Sequence, residues 1–209
     1  MIANFKHKQQ LSKWLEVQKM LDDLKLIHQR DVQDALGIAE KQAAQLTKTY
    51  DQPRFEHPEI ENIVLAGMGG SALATLVALV WPGFSLPFEI VRNYSLPAYV
   101  SPKTLFIASS YSGNTEETIS ALDEAEKRGA VIAVIASGGK LVERARAKNY
   151  PLLVLPAGLQ PRHAVFFSLK ALLTLTDAIG LTNNKAEELA GKADFLNSAV
   201  KAWLPTVPT

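Results

Sequence analysis

ASSYSGNTEET, at residues 108–118, directly follows an apolar run at residues 104–107. It places six hydroxyl side chains within eleven residues. The residues after it, Ile119, Leu122 and Ala125, recur at the spacing of one face of an α-helix. The chain therefore turns from a buried strand into a helix here, and the turn is rich in hydroxyl groups.

The same alternation of short apolar runs with helical patterns continues on both sides of this stretch. The predicted strands lie at residues 62–66, 88–92, 104–108, 131–136 and 152–155. The predicted helices lie at residues 71–80, 115–128, 141–148, 164–179 and 186–204. Such alternation is typical of a parallel sheet that is covered by helices on both faces. The sequence thus predicts an α/β fold, a three-layer αβα sandwich around a five-stranded parallel sheet.

Helical patterns also precede the first strand. Residues 11–30 and 31–49 are amphipathic, with a bend expected near Arg30 and Asp31, and a connector with two prolines follows at residues 51–58. We therefore expect an N-terminal helical segment at residues 1–50, packed on the core, and an α/β domain at residues 60–204. The last residues, 204–209, read like the beginning of a linker.

Composition excludes several classes of function. The chain has 209 residues, a net charge of +1 and no cysteine. Disulfides, thiolate metal sites and cysteine nucleophiles are therefore excluded, and no broad basic field favours nucleic acid or a membrane surface. No apolar run reaches the roughly 18 residues of a membrane span, and the N-terminus lacks an apolar signal core. We expect a cytoplasmic protein with neither nucleic acid nor membrane as partner.

A second loop at a strand end carries three glycines. GMGGSA, at residues 67–72, directly follows the first predicted strand. Ligands of open parallel sheets bind where such loops lead into helices, so Ser71 is either a helix N-cap or a ligand contact. A dinucleotide-binding turn is an alternative, but Ala72 stands at the place of the last glycine, and only Glu89 approximates the expected acidic residue.

The hydroxyl groups of the opening stretch have two explanations. Helix capping would account for Asn114, an N-cap followed three residues later by Glu117, and for one hydroxyl at most, but not for Ser109, Ser110, Ser112 and Thr115 together. A phosphate site would account for Ser110, Ser112 and Thr115, because hydroxyl donors, free N–H groups and the positive end of a helix dipole form a neutral cradle for a phosphate dianion.

Taken together, the two loops resemble those of the sugar isomerase (SIS) domain family. QPRHA, at residues 160–164, makes the N-terminal half of the bifunctional phosphoglucose/phosphomannose isomerases the most similar branch. The resemblance implies a phosphosugar-binding domain with a five-stranded parallel sheet of flavodoxin-like topology, and it extends to about residue 204. Ala72 and His163 depart from the family pattern, which has a glycine and a small residue at these positions.

The resemblance also implies site residues. Contacts with the sugar phosphate are expected from residues of the two loops and the QPRHA segment: Gly70, Ser71, Ser110, Ser112, Thr115 and Arg162. Arg162 would further stabilise negative charge on an enediolate, which suits a side chain that stays charged and offers a planar fork of donors. Without the resemblance, Arg162 would be taken for a surface residue at a helix start. His163 is better explained by a structural role, since a lone histidine is weak support for catalysis.

The resemblance implies a missing part as well. In these isomerases a glutamate base, a histidine and a lysine come from a second SIS domain, the histidine across a dimer, and we expect this chain to lack that domain. The chain should therefore bind a phosphorylated hexose and turn it over weakly or not at all. No metal or organic cofactor is implied, and a homodimer is expected.

Two functions are consistent with these sequence features. The first is an aldose–ketose isomerase that interconverts glucose 6-phosphate or mannose 6-phosphate with fructose 6-phosphate. The sequence does not rank the two aldoses, which differ in the orientation of one hydroxyl. The alternative is a non-catalytic SIS domain that senses a phosphosugar. Such regulators usually carry a helix-turn-helix, which the N-terminal segment does not resemble.

Overall fold

The computed structural model describes residues 23–55, 59–81 and 83–204. These residues group into two compact units. The larger unit comprises residues 42–193, and the smaller one contains the described residues up to Lys41 together with those from Asp194 onward. Most of the predicted helix at residues 11–30 lies outside the described residues. None of the helices in the three described ranges is both long and apolar enough to cross a membrane.

The first described residues of the smaller unit form two short helices, α1 at Leu24–Arg30 and α2 at Ala35–Glu40. The carboxylate of Asp31 lies between them and accepts the backbone N–H groups of Ala35, at 2.8 Å, and Leu36, at 2.9 Å. These bonds satisfy N–H groups that have no partner inside the helix. The bend expected near Arg30 and Asp31 is therefore confirmed.

Five strands form one parallel sheet in the larger unit. They are β1 at Asn62–Ala66, β2 at Phe88–Val91, β3 at Thr104–Ser110, β4 at Val131–Ala136 and β5 at Leu152–Val154. Their order across the sheet is β2-β1-β3-β4-β5, and every neighbouring pair is parallel. This is the flavodoxin-like order, so the predicted fold is confirmed. Strand β3 runs two residues beyond the prediction, because Ser109 and Ser110 pair with β4.

The helices of the larger unit follow the strands. They are α3 at Gly70–Val80, α4 at Glu116–Lys127, α5 at Gly139–Lys148, α6 at Val165–Ala178 and α7 at Lys185–Ala190, with two 3₁₀ helices at Gln42–Thr47 and Pro161–His163. The prediction of one helix at residues 186–204 is wrong. Helix α7 ends at Ala190, Gly191 caps it, and α8 at Ala193–Lys201 begins separately.

Helices cover both faces of the sheet. On one face, alternate side chains of the central strands, among them Val64, Phe106 and Val134, pack against Leu122 of α4 and Leu141 of α5. Helices α3 and α6 contact each other and the strands from the other side. Each fully buried leucine or isoleucine side chain of such a core contributes about 1.5–3 kcal/mol. The core fixes the positions of the strand ends from which the site is built.

Candidate functional site

Three helices begin at the same edge of the sheet. Strands β1, β3 and β4 end there and lead into α3, α4 and α5. The N-caps of these helices are Gly69, Thr115 and Gly138, and none of the three makes a side-chain capping bond. The first N–H groups of each helix have no partner inside the helix, and the helix dipoles point their positive ends to this edge. The edge is therefore suited to an anion.

The loop after β3 is held by its own hydroxyl groups. The Oγ of Ser110 lies 2.7 Å from the Oγ1 of Thr115, and it accepts the N–H of Gly113 at 3.1 Å. The Oγ of Ser112 accepts the N–H of Asn114 at 3.3 Å. Ser110 is buried, whereas Ser112 is exposed. The structure thus brings Ser110 and Thr115 together and leaves Ser112 exposed to solvent.

Ser71 ties the loop after β1 to the loop after β3. Its Oγ accepts the N–H of Tyr111 at 2.9 Å, and its backbone carbonyl accepts the hydroxyl of Ser109 at 3.3 Å. The alternative in which Ser71 is a helix N-cap is wrong, because Gly69 is the N-cap and the helix begins at Gly70. The hydroxyl of Ser71 instead fixes the distance between the two loops.

The phosphate cradle, formed by the loops at residues 67–72 and 110–115, has hydroxyl hydrogens that no described residue accepts. In the bonds above, the Oγ atoms of Ser71 and Ser112 act as acceptors only, so each hydroxyl hydrogen is unused by a described residue. Within the Ser110–Thr115 pair one hydroxyl donates to the other, which leaves one further hydrogen. A hydroxyl carries one donor hydrogen and two acceptor lone pairs. Three hydroxyl donors and the first N–H groups of α4 are therefore available to phosphate oxygens, whereas the N–H groups of Lys140 and Leu141 in α5 already bond to Asn114 and Gly113.

Asn114 does not cap helix α4, and the capping explanation is wrong for it. Thr115 is the N-cap. The Oδ1 of Asn114 accepts the N–H of Lys140 at 3.1 Å, and its Nδ2 donates to the carbonyl of Ser112 at 3.3 Å. The side-chain amide therefore joins the loop after β3 to the start of helix α5.

A third loop, Ser137-Gly138-Gly139 after β4, was missed by the sequence reasoning. It packs directly on the loop after β3, where a Cβ on Gly113 would lie 1.8 Å from the carbonyl oxygen of Gly138. Gly113 has φ +71°, a conformation that favours glycine. Two consecutive glycines between a strand and a helix were the available signal, the same one that marked the first loop.

Arg162 reaches the site from the loop after β5. It lies in the 3₁₀ helix Pro161–His163, and its side chain is exposed. A Cβ on Gly70 would lie 2.6 Å from the backbone nitrogen of Arg162, so the first loop and this turn are in close contact. The structure therefore brings Gly70 and the backbone of Arg162 together, with the guanidinium group facing solvent.

Two glutamines hold this turn from the other side. The carbonyl of His163 accepts the Nε2 of Gln45 at 2.6 Å and the Nε2 of Gln42 at 3.2 Å. The Oε1 of Gln45 accepts the N–H of Phe167, in the first turn of α6, at 3.2 Å. Gln45 is buried, and both ends of its amide are used. No sequence pattern singled it out, because its partners lie more than a hundred positions away.

Charged side chains lie in the first turns of two of the helices that begin at this edge. Glu116 and Glu117 begin α4, where the helix dipole favours acidic side chains, and Lys140 lies in the first turn of α5. Away from this edge, Glu89 in the middle of β2 accepts the hydroxyl of Tyr99 at 2.5 Å. Burial and this carboxylate raise the pKa of Tyr99 to about 12. Within the described ranges no group of three histidine, aspartate or glutamate side chains is placed to hold a metal ion.

Comparison with known proteins agrees with the resemblance drawn from the two loops. The chain matches no protein-family profile. It is 41% identical over 152 residues to a bifunctional phosphoglucose/phosphomannose isomerase of Caldicellulosiruptor bescii, a match that covers 72% of this chain and 45% of that protein. It is 37% identical over 130 residues to a D-glucosamine-6-phosphate 4-epimerase of Sulfolobus acidocaldarius, covering 62% of this chain and 42% of the relative.

A solved structure shows the same fold. Tagatose-6-phosphate ketose/aldose isomerase of Escherichia coli superimposes with a TM-score of 0.52 and 19% sequence identity, over 82% of this chain and 48% of the other. This likeness concerns the fold alone. The chain spans less than half the length of the two relatives and of this structure.

Proposed function

Since the chain belongs to the SIS-domain family, we propose that it binds a phosphorylated hexose at the edge formed by the loops after β1, β3 and β4. The observation that carries the proposal is the set of three unused hydroxyl hydrogens at Ser71, Ser112 and the Ser110–Thr115 pair. They lie in the first turn of α3 and in the loop that leads into α4. Phosphate is an anion that neutral donors and a helix N-terminus bind well.

We further propose that the protein takes part in aldose–ketose isomerisation of a hexose 6-phosphate. Isomerisation moves a proton between C1 and C2 through an enediolate, which needs a base and a group that stabilises the developing negative charge. Arg162 would stabilise that negative charge, because an arginine offers a planar fork of N–H donors and the backbone of Arg162 lies against the first loop, with the residue exposed. The names of the isomerase relatives support this reaction class.

The base is proposed to come from residues outside this chain. Glu116 and Glu117 are the carboxylates that lie beside the cradle in sequence, and a charged carboxylate next to a bound phosphate dianion would be repelled by it. Both are explained by their favourable place at the start of α4. The relatives, about twice as long as the matched region, have room for such a residue.

The homodimer and the cytoplasmic location stay predictions.

The test is a calorimetric titration of the chain with fructose 6-phosphate, with fructose and inorganic phosphate as controls, followed by a coupled isomerase assay. We expect binding of fructose 6-phosphate, weaker binding of phosphate, no binding of fructose, and no turnover. Failure to bind any phosphosugar would refute the proposed binding site. Turnover would refute the proposal that the catalytic base comes from outside this chain. Glucosamine 6-phosphate belongs in the same panel, because one relative is named for acting on it.

A further inference from the structure

Tyr111 lies inside the cradle loop but turns its side chain away from it. Its ring is 7% exposed, and its hydroxyl reaches the loop after β5. There it donates to the carbonyl of Pro156 at 2.7 Å and accepts the N–H of Leu159 at 2.9 Å. One hydroxyl group thus fixes two backbone positions, three residues apart, in a segment that forms neither helix nor strand.

The backbone of the same residue joins the remaining loops of the site. Its N–H donates to the Oγ of Ser71, in the loop after β1, at 2.9 Å. Its carbonyl accepts the N–H of Ser137 at 2.9 Å and the hydroxyl of Ser137 at 2.5 Å, both from the loop after β4. Tyr111 therefore contacts the loops after β1, β4 and β5 while it belongs to the loop after β3.

The segment that the hydroxyl holds leads directly to Arg162. Leu159 is three residues before it, and the turn Pro161–His163 follows without an intervening element. Gln42 and Gln45 hold the far side of that turn, and the Tyr111 hydroxyl fixes the segment before it, between the residues that would bind the phosphate and the arginine that would face the sugar. A ligand with two recognised ends is bound well only when the groups for each end are held at a matching separation.

We propose that Tyr111 is a positioning residue: its hydroxyl holds residues 156–160 so that Arg162 stays in register with the phosphate cradle. This inference rests on the proposed phosphosugar function. It separates two roles of one residue. The backbone of Tyr111 belongs to the cradle, and the hydroxyl acts on the sugar end of the ligand through Arg162.

The test is a set of variants titrated with fructose 6-phosphate and with inorganic phosphate. Tyr111→Phe removes the hydroxyl and keeps the backbone, so we expect the affinity for fructose 6-phosphate to fall about 5-fold to 10-fold. The affinity for inorganic phosphate should stay unchanged. Tyr150→Phe is the matched control, because Tyr150 lies between α5 and β5, at the opposite edge of the sheet, and its hydroxyl donates to Glu126 at 3.0 Å.

A double-mutant cycle with Arg162→Ala distinguishes positioning from a merely structural role. If the hydroxyl acts through Arg162, Tyr111→Phe should have no further effect on fructose 6-phosphate binding in the Arg162→Ala background. Equal losses in both backgrounds would overturn the inference. We also expect the amide hydrogen of Leu159 to exchange faster with solvent in Tyr111→Phe, because its acceptor is removed. An unchanged exchange rate would overturn the inference.

The failure of this inference is distinguishable from the failure of the proposed function. If the unaltered chain binds fructose 6-phosphate no better than inorganic phosphate, the proposed function falls and the inference with it. If the unaltered chain prefers fructose 6-phosphate and Tyr111→Phe keeps that preference in full, only the role of Tyr111 is overturned.

Discussion

The hydroxyl oxygens of Ser110 and Thr115 lie 2.7 Å apart, across the loop that begins at the end of β3 and ends at the start of α4. One hydroxyl donates to the other, so the pair closes the loop and still keeps one hydrogen for a ligand. The loop therefore has its shape before any ligand binds. A preformed site loses less conformational entropy on binding than one that must be ordered by its ligand.

Replacing Ser110 should weaken phosphate binding. Ser110→Ala removes the partner of Thr115 and the acceptor of the Gly113 N–H, so we expect the affinities for inorganic phosphate and fructose 6-phosphate to fall together, about 10-fold or more. Calorimetry measures both. Ser101→Ala is the matched control, since Ser101 precedes β3 at the opposite edge of the sheet. Unchanged phosphate affinity in Ser110→Ala would show that this pair is not part of the site.

Replacing Gly113 should disrupt the contact between the second and third loops. Gly113→Ala combines a positive φ with a Cβ 1.8 Å from the Gly138 oxygen. We expect it to lower the free energy of unfolding by about 3 kcal/mol or more, measured by urea denaturation. Gly180→Ala is the control, because Gly180 has φ +78° and open space around it. Gly180→Ala should lower the free energy of unfolding by only about 1–2 kcal/mol. Equal losses in Gly113→Ala and Gly180→Ala would argue against the close contact between Gly113 and Gly138.

Glu126 should make stability depend on pH in the acid range. Burial raises the pKa of this carboxyl, but hydrogen bonds from Arg144, Lys148 and Tyr150 outweigh burial and leave the pKa below its ordinary value. A carboxyl whose pKa is lowered by folding stabilises the protein above its unfolded pKa, and this contribution is lost as the pH falls. Glu126→Gln should therefore cost about 1–2 kcal/mol at pH 7 and less as the pH falls from about 5 to 3.

The comparison variant for this measurement is Glu143→Gln, an exposed carboxyl on α5. Denaturant unfolding of the unaltered chain, Glu126→Gln and Glu143→Gln between pH 7 and pH 3 gives the change in unfolding free energy that each substitution causes. A cost for Glu126→Gln that stays constant from pH 7 to pH 3 would be inconsistent with a lowered pKa.

Replacing Thr118 should stabilise the fold. Its Oγ1 is buried without a hydrogen-bond partner among the described residues, and the side chain is 1% exposed. Thr118→Val keeps the shape and removes the unsatisfied hydroxyl, so we expect the free energy of unfolding to rise by about 1 kcal/mol. Thermal unfolding measures the change, with Thr47→Val as a control on an exposed hydroxyl. A loss of phosphate affinity in Thr118→Val would instead assign this hydroxyl to the ligand.

Hydrophobic pattern and glycine placement were sufficient to predict most of the fold. The strands are continuous apolar runs, as expected for strands that are buried on both faces of a sheet. The predicted parallel sheet is confirmed. The predicted helix at residues 186–204 failed because its amphipathic spacing continues across Gly191, where the chain in fact ends one helix and begins another. Such a break depends on local backbone geometry more than on hydrophobic spacing.

The site was harder to predict than the fold. Ser110 and Thr115 were predicted to bind phosphate because they lie together in sequence; in the structure their hydroxyl oxygens lie 2.7 Å apart, and their role in binding stays a prediction. Gln45 and the hydroxyl of Tyr111 were missed because their partners are backbone groups of distant residues, which no short motif records. Long-range hydrogen bonds to the backbone depend on the folded geometry and leave little trace in residue spacing.

Solution NMR can locate the phosphosugar site residue by residue, by following the backbone amide signals of the ¹⁵N-labelled chain during addition of fructose 6-phosphate. We expect the largest shifts at Gly70, Ser71, residues 110–117 and Arg162, with inorganic phosphate moving the same signals except that of Arg162. Saturable shifts confined to other parts of the chain, such as the groove between α3 and β2, would contradict the account.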